Sequence, residues 1–384
     1  MSKLFLYKYF YYLIVLSLVR GNHFFGGRIS WQAVQPNTTN FSSIQIKLRQ
    51  VYSWYNSLND CGYSSISGRY LHALNGTTSY ETHISASGKC ISYDLDIPFI
   101  TAESIETLIY SWNSTMILFY NSSTWSQSLL SNSKIRIATF INLKTRNDSE
   151  RINSSPITSM PSVITIPVNT QQVIRIPMID IDRDIVKCRW AINNSTYYYT
   201  PKVEECGGIC QNLPNAQLIT SSNLDNNCTL IVNISTVGYY AIAIQIEDFM
   251  PSAPYYPLSS IPLQFVIRGI NDSCYSPAII GQNDNDATII VSPNTLFSTS
   301  IIAKTGCNQT KIIKFSSDML PLGVTSTSSV IRQNVSIYSM IFTWTPTVDQ
   351  IGTKQLYCTI AIDDNNKQST QYCLNFVVTE KIGE

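Results

Sequence analysis

Residues Val237–Phe249 read VGYYAIAIQIEDF. From Ala241 the side chains alternate with a period of two, which is the period of a strand and not of a helix. The alternation recurs in IQIKL (44–48), KIRIATFINL (134–143), VIRIPMI (173–179) and LYCTIAID (356–363). Each run is rich in β-branched or aromatic residues and is bounded by Asn, Asp, Ser, Gly or Pro, as antiparallel strands joined by turns are. Helical periodicity is nearly absent, and no strand–helix alternation occurs. The fold class predicted is all-β, with tandem antiparallel β-sandwiches.

The opening stretch has an echo. VGYYAIAIQIEDF and then SIPLQFVI (260–267) return as IGTKQLYCTIAIDD (351–364) and then QYCLNFVV (371–378). INSSPITSM (152–160) returns as INDSCYSPAII (270–280), and VNTQQVIRIPMID (168–180) as SPNTLFSTSIIAK (292–304). Each copy spans about 115 residues, the size of one sandwich. The expected organisation is a leader at 1–21, a distinct N-terminal β-sandwich domain at 22–150 opening with HFFGGRISWQAV, and repeats at 151–269 and 270–384.

Twenty-six basic residues face 25 acidic ones in 384, and neither a basic block nor a basic stripe occurs. Nucleic acid and anionic membrane surfaces are therefore not expected partners. The N-terminus, MSKLFLYKYFYYLIVLSLVRGN, has Lys3 in a short positive segment, an apolar run from about Phe10 to Val19, and small residues before Asn22. It reads as a cleaved signal peptide. The alternative, a retained anchor, meets a run that is short for a span and interrupted in front by Lys8. No later run is apolar enough to span, so no transmembrane segment is expected after cleavage.

Two counts agree with secretion. The ten cysteines are an even number without zinc spacing. Fourteen Asn-x-Ser/Thr sequons lie at Asn37, Asn40, Asn75, Asn113, Asn121, Asn147, Asn153, Asn193, Asn194, Asn227, Asn233, Asn271, Asn308 and Asn334. Chance would give about 6. An extracellular, glycosylated, disulfide-bonded protein is expected.

At FTWTPTVDQIGTKQLYCTIAIDD (342–364) the chain resembles the closing half of cadherin-like and immunoglobulin-like repeats. Trp344, Thr345, Pro346, Gly352 and Asp363 occupy the positions of that pattern. IDIDRDIVKCRW (179–190) resembles the Asp-x-Asp-Gly-Asp turn that opens a strand in related modules, with Arg183 where Gly is usual. The order of the whole chain is similar to that of multidomain secreted animal proteins. The resemblance implies two immunoglobulin/cadherin-like modules after the N-terminal domain, and it implies architecture rather than activity.

Asp180, Asp182 and Asp184 alternate in that turn. An EF-hand is excluded, because its sixth and twelfth positions hold Ile185 and Ala191. The resemblance implies a calcium site formed with Glu247 and Asp248. The competing reading, favoured by the missing Gly, is a turn whose Asp side chains cap backbone amides. Calcium is the one cofactor left open.

Pairing within modules gives Cys61–Cys90; the four cysteines of each repeat allow three connectivities, of which Cys188–Cys228 with Cys206–Cys210, and Cys358–Cys373 with Cys274–Cys307, are preferred. Cys358 and Cys373 are symmetric about Asn365–Asn366, but their neighbours suggest opposite faces, which a β-bulge would reconcile. No GxSxG, HExxH or phosphate loop occurs, and GGR at 26–28 precedes a strand. Only the weakest of motifs, paired carboxylates at Asp94/Asp96 and Glu103/Glu106, points to a glycoside hydrolase. The expected function is non-catalytic adhesion or surface recognition of an extracellular protein or glycan. The alternative is lectin-like binding by Trp54, Tyr55, Tyr63, Tyr70 and Tyr80 of the N-terminal domain.

Overall fold

A computed structural model describes residues 24–34, 42–55, 70–75, 78–94, 97, 99–122, 125, 134–197, 202–210, 213, 215–220, 228–271, 274–324 and 326–380. The leader expected at 1–21 lies outside them. The described chain is all-β, apart from one 3₁₀ turn at Val348–Gln350.

The N-terminal region contributes β1 (Phe24–Val34), β2 (Ser43–Tyr55), β3 (Tyr70–Asn75), β4 (Thr78–Ser85), β5 (Lys89–Asp94), β6 (Phe99–Ser111), β7 (Thr115–Ser122) and β8 (Ile135–Asn142). The first repeat contributes β9 (Ile157–Thr158), β10 (Val163–Pro167), β11 (Gln172–Ile176), β12 (Met178–Ile179), β13 (Ile185–Trp190), β14 (Gln217–Thr220), β15 (Cys228–Val232), β16 (Gly238–Phe249) and β17 (Pro257–Ile270). The second contributes β18 (Ala278–Ile279), β19 (Ala287–Val291), β20 (Phe297–Lys304), β21 (Ile312–Met319), β22 (Ser326–Thr327), β23 (Ile331–Arg332), β24 (Ile337–Trp344), β25 (Lys354–Asp363) and β26 (Tyr372–Val378).

The two repeats are wired alike. An early strand pairs in parallel with the last one, β10 with β17 and β19 with β26. The sheet continues antiparallel through β16 to β13 in one copy, and through β25 to β21 in the other. A second sheet faces it, β11-β15-β14 in the first copy and β20-β24-β22 in the second. Each is a sandwich of the immunoglobulin type.

The N-terminal region is built differently. Its strands run β4-β3-β7-β8-β17-β1-β2-β6-β5, so the end strands β4 and β5 are consecutive in sequence. The connection from Ser85 to Lys89 spans at most about 14 Å. Nine strands laid flat would need about 38 Å. The sheet must therefore curl until its ends meet, and Gln50 donates across that seam to the Ser85 carbonyl at 3.3 Å. Phe24, Tyr52, Trp54, Tyr120 and Trp125 pack inside, with ring centroids 5.0–6.5 Å apart.

β17 belongs to both bodies. It pairs with β16 and β10 of the repeat, and also with β1 at Gly27↔Gln264 and with β8 at Ser260↔Phe140. The boundary expected at 150/151 thus runs through one sheet and one continuous cluster of buried apolar side chains. The crossing explains GGR. A Cβ on Gly26, whose φ is +141°, would lie 2.3 Å from the Gln264 carbonyl oxygen, and one on Gly27 2.6 Å from the Tyr52 ring.

Shared sheets also enclose Val237–Phe249. From Ala241 onward β16 is buried on both faces. Its second face is covered by β8 and by the segment after β13, where Tyr197 stacks on Phe140 at 4.7 Å and Gln245 donates to the Ala138 carbonyl at 3.3 Å.

The second repeat folds back onto the others. Arg49 donates to the Leu320 carbonyl at 2.8 Å, and Gln371 to the Ser159 carbonyl at 3.1 Å. The structure forms Cys188–Cys228, Cys206–Cys210, Cys274–Cys307 and Cys358–Cys373; Cys90 is also bonded, and Cys61 lies outside the described residues. Cys358 and Cys373 are direct partners in an unbroken register, so the β-bulge expected there is absent. Both lie on the face of β25–β26 turned away from the module core, buried with Leu356 beneath Ile157 and Ile179. Ile360 and Ile362, on the Cys358 face, are buried as well, because β25 is covered on both faces.

Candidate functional site

The triple-aspartate turn, Asp180–Asp184, links β12 to β13. Arg183 sits at φ +68°, so the turn requires the left-handed conformation that the usual Gly supplies freely. Asp180 Oδ1 accepts the Asp184 N–H at 3.1 Å, and Asp182 Oδ2 accepts the Ser154 N–H at 2.7 Å. These are the amide-capping bonds that short acidic side chains make in turns.

A cation from outside the motif completes the site. Arg146, from the turn after β8, donates to both Asp184 oxygens, at 2.6 Å to Oδ1. It also holds Asp148 through bonds of 2.9 and 2.7 Å and the Asn153 side-chain oxygen at 2.9 Å. Asn153 passes the connection on, its Nδ2 donating to Asp248 Oδ2 at 2.6 Å. The other Asp248 oxygen accepts the Ser259 N–H at 2.7 Å and hydroxyl at 2.6 Å. One carboxylate oxygen is left over: Asp180 Oδ2 is buried without a partner.

Burial pushes the Asp180 carboxyl well above the ordinary range, and the neighbouring Asp248 adds to it. Burial likewise raises Asp182, and it lifts Asp248 to about 7 against the bonds from Ser259 and Asn153. The Arg146 bond instead lowers Asp148. The knot therefore prefers protons or cations, and a proton on Asp180 removes the charge from the orphan oxygen.

As arranged, most of the carboxylate oxygens already have partners. Asp180, Asp182 and Asp184 bring ligand oxygens within 4.8 Å of one another, but Arg146 occupies both Asp184 oxygens and Asp248 is committed to Ser259 and Asn153. Glu247, expected beside Asp248, points to the opposite face as adjacent strand residues must. There it joins Glu205 and Tyr197 around Arg189, at 2.8 Å from Nη2.

One sequon is spent in the knot. Asn153 is 2 % exposed and its amide nitrogen is committed to Asp248, so the folded protein does not present it for glycosylation. Asn113, Asn121, Asn147, Asn193, Asn194, Asn233, Asn271, Asn308 and Asn334 are exposed. The Asn37, Asn40 and Asn227 sites and the Asn75 side chain lie outside the described residues.

Of the lectin and hydrolase candidates, the described ones are in part core residues or already paired. Trp54 is a core residue; Tyr55, Tyr70 and Tyr80 are 40–49 % exposed, and Tyr63 is not described. Asp94 caps the Ile97 N–H at 2.8 Å, Glu103 pairs with Arg49 at 2.5 Å, and Asp96 is not described. Sequence reading missed Arg146 as the partner of the aspartates. A lone arginine in KTRND carries no local signal of a contact made 38 positions away.

No family model and no curated protein matches this sequence. Among solved structures, the chain is similar to an I-band fragment of titin at 7 % identity, covering 92 % of this chain and 99 % of that one with a TM-score of 0.18. It is also similar to the sialic acid binding region of a Streptococcus sanguinis adhesin, at 9 % identity over 59 % and 78 % of the two chains, TM-score 0.20. A third is an endo-fucoidan hydrolase of glycoside hydrolase family 107, at 9 % identity over 83 % and 44 %, TM-score 0.19. Likenesses this weak carry no inference about activity or partner.

Proposed function

We propose that this chain is a secreted glycoprotein that works by non-catalytic recognition outside the cell, as an adhesive or matrix component. The observation that carries the reading is the disulfide-bonded sandwich array, braced where one repeat shares its last strand with the N-terminal sheet. Such an array spaces surfaces rigidly and presents loops at both ends. Disulfides of this density belong to oxidising compartments, and no helix among the described residues is long and apolar enough to cross a membrane. In this reading the aspartate knot is a joint and not a metal centre, because Arg146 already supplies its cation.

The test is expression of the whole chain in a secreting eukaryotic cell, followed by glycan and extracellular-protein arrays and a polysaccharide hydrolysis panel. Secretion with bound sugar, and saturable binding without turnover, is the expected result. Hydrolysis that disappears on replacing Glu103 or Glu106 would overturn the reading. Binding lost on replacing Tyr70 and Tyr80 would place recognition on the N-terminal sheet.

A further inference from the structure

The bond that ties the second repeat to its entering segment differs from the others in its surroundings. Cys274, after β17, is exposed and borders an open cavity of about 430 Å³. Its partner Cys307, between β20 and β21, is 8 % exposed. Lys367, between β25 and β26, reaches both. Its Nζ donates to the Cys274 carbonyl at 2.7 Å and lies 3.5 Å from the Cys307 sulfur. A cation beside a sulfur stabilises the negative charge that the sulfur gains when its disulfide is cleaved. Cys206–Cys210 has the opposite neighbour. Cys210 is half-buried there, but a Glu204 carboxylate oxygen lies within 4.8 Å of both sulfurs. Cys188, Cys228, Cys358 and Cys373 are each 4 % exposed or less.

We infer that Cys274–Cys307 is a thiol-exchange site, opened by a small external thiol that attacks the Cys274 sulfur. The attacking thiolate forms a sulfur–sulfur bond with Cys274 Sγ. The Cys274–Cys307 bond breaks, and its electron pair leaves on Cys307 Sγ beside the Lys367 ammonium. Access selects which sulfur is attacked, and the better-stabilised thiolate leaves faster. The product is a mixed disulfide on Cys274 and a thiolate on Cys307. When Cys307 takes up a proton, the Tyr275 carbonyl oxygen, 3.3 Å away, accepts its hydrogen bond. Attack by a second external thiol on the mixed disulfide leaves two cysteine thiols and one oxidised thiol dimer. Attack by Cys307 instead restores the tie and releases the thiol. The inference goes beyond the binding reading and needs only the oxidised fold.

The experiment exposes the oxidised full chain to reduced glutathione under native conditions, quenches with an alkylating reagent at intervals, and locates each modified cysteine by mass spectrometry. Cys274 and Cys307 are expected to react about tenfold faster than Cys206 and Cys210, with glutathione on Cys274 and the alkyl group on Cys307. Lys367→Gln should slow this opening about tenfold and leave Cys206–Cys210 unchanged. Lys367→Arg, which keeps the charge, should restore the wild-type rate. A glutathione adduct on Cys307, an equal or faster rate at Cys206–Cys210, or a Lys367→Gln rate at or above that of the wild type overturns the inference. The adduct position and the order of opening are read in the wild type, so they stand even if a Lys367 variant does not fold.

Discussion

The two repeats solve the same mechanical problem with different chemistry. In each, the segment entering the module must be tied to the turn before its third long strand. The first repeat makes the tie with charge: Asn153 and Ser154 from the entering segment meet Arg146, Asp182 and Asp184. The second makes it covalently, because Cys274 from the entering segment is bonded to Cys307 in the corresponding turn. Even the acidic strand end is kept, with a changed task. Asp248 anchors Ser259 and Asn153, whereas Asp363 caps the Asn365 and Lys367 amides at 3.0 and 2.9 Å. A position in a repeat fixes where a tie is needed, and leaves open what it is made of.

Arg146→Ala breaks the charged tie most severely. Asp184 is 3 % exposed and would be left as an unpaired buried charge. A loss of about 3–5 kcal/mol by chemical denaturation is expected. A loss under about 1 kcal/mol would show that the charged tie carries little.

The pH dependence of the charged joint comes next. The Asp248 carboxyl is raised to about 7 in the fold from an ordinary value of 3.8, and Asp180 moves in the same direction. The folded state therefore holds protons that the unfolded chain releases. The stability so gained is full below the unfolded value and is lost as pH rises towards 7. Stability should fall by a few kcal/mol between about pH 4 and 7 from this joint, and Asp180→Asn should flatten the slope. Unfolding midpoints across that range, wild type against Asp180→Asn, decide it.

Cys274→Ser with Cys307→Ser opens the covalent tie. For a closed loop of this size the expected cost is about 4 kcal/mol, with the amides of β20 and β21 exchanging faster and those around Asp180 unchanged. Faster exchange spreading into the aspartate knot would mean that the two joints are not independent. The smallest effect is expected from Arg183→Gly. It relieves a left-handed residue but frees the unfolded chain, a net gain of under about 1 kcal/mol. A clear destabilisation would reveal a role for the Arg183 side chain.

Strands and repeats were legible because both are local patterns: KIRIATFINL is β8 and LYCTIAID lies in β25. The triple Asp was legible as a turn for the same reason. What could not be read was partnership at a distance. Nothing in SIPLQFVI announces that Leu263 and Gln264 will also face Arg28 and Gly27. Nothing in the alternation of β16 tells that both of its faces are covered, one of them over the small Ala241 and Ala243. Asn153 matched a glycosylation motif, and only its place in the knot reveals that its amide is already used.

The strand shared at β17 has a bearing on the order of synthesis. β1 and β8 leave the ribosome early, but β17, the strand that lies between them, is made only after most of the first repeat. Until then the curled sheet has a gap, and two unpaired edges invite the wrong neighbour. The nascent chain must wait with its first region unfinished, and the pairing that completes it is slow because it closes a very long loop. A fragment stopped at residue 150 would keep that gap permanently.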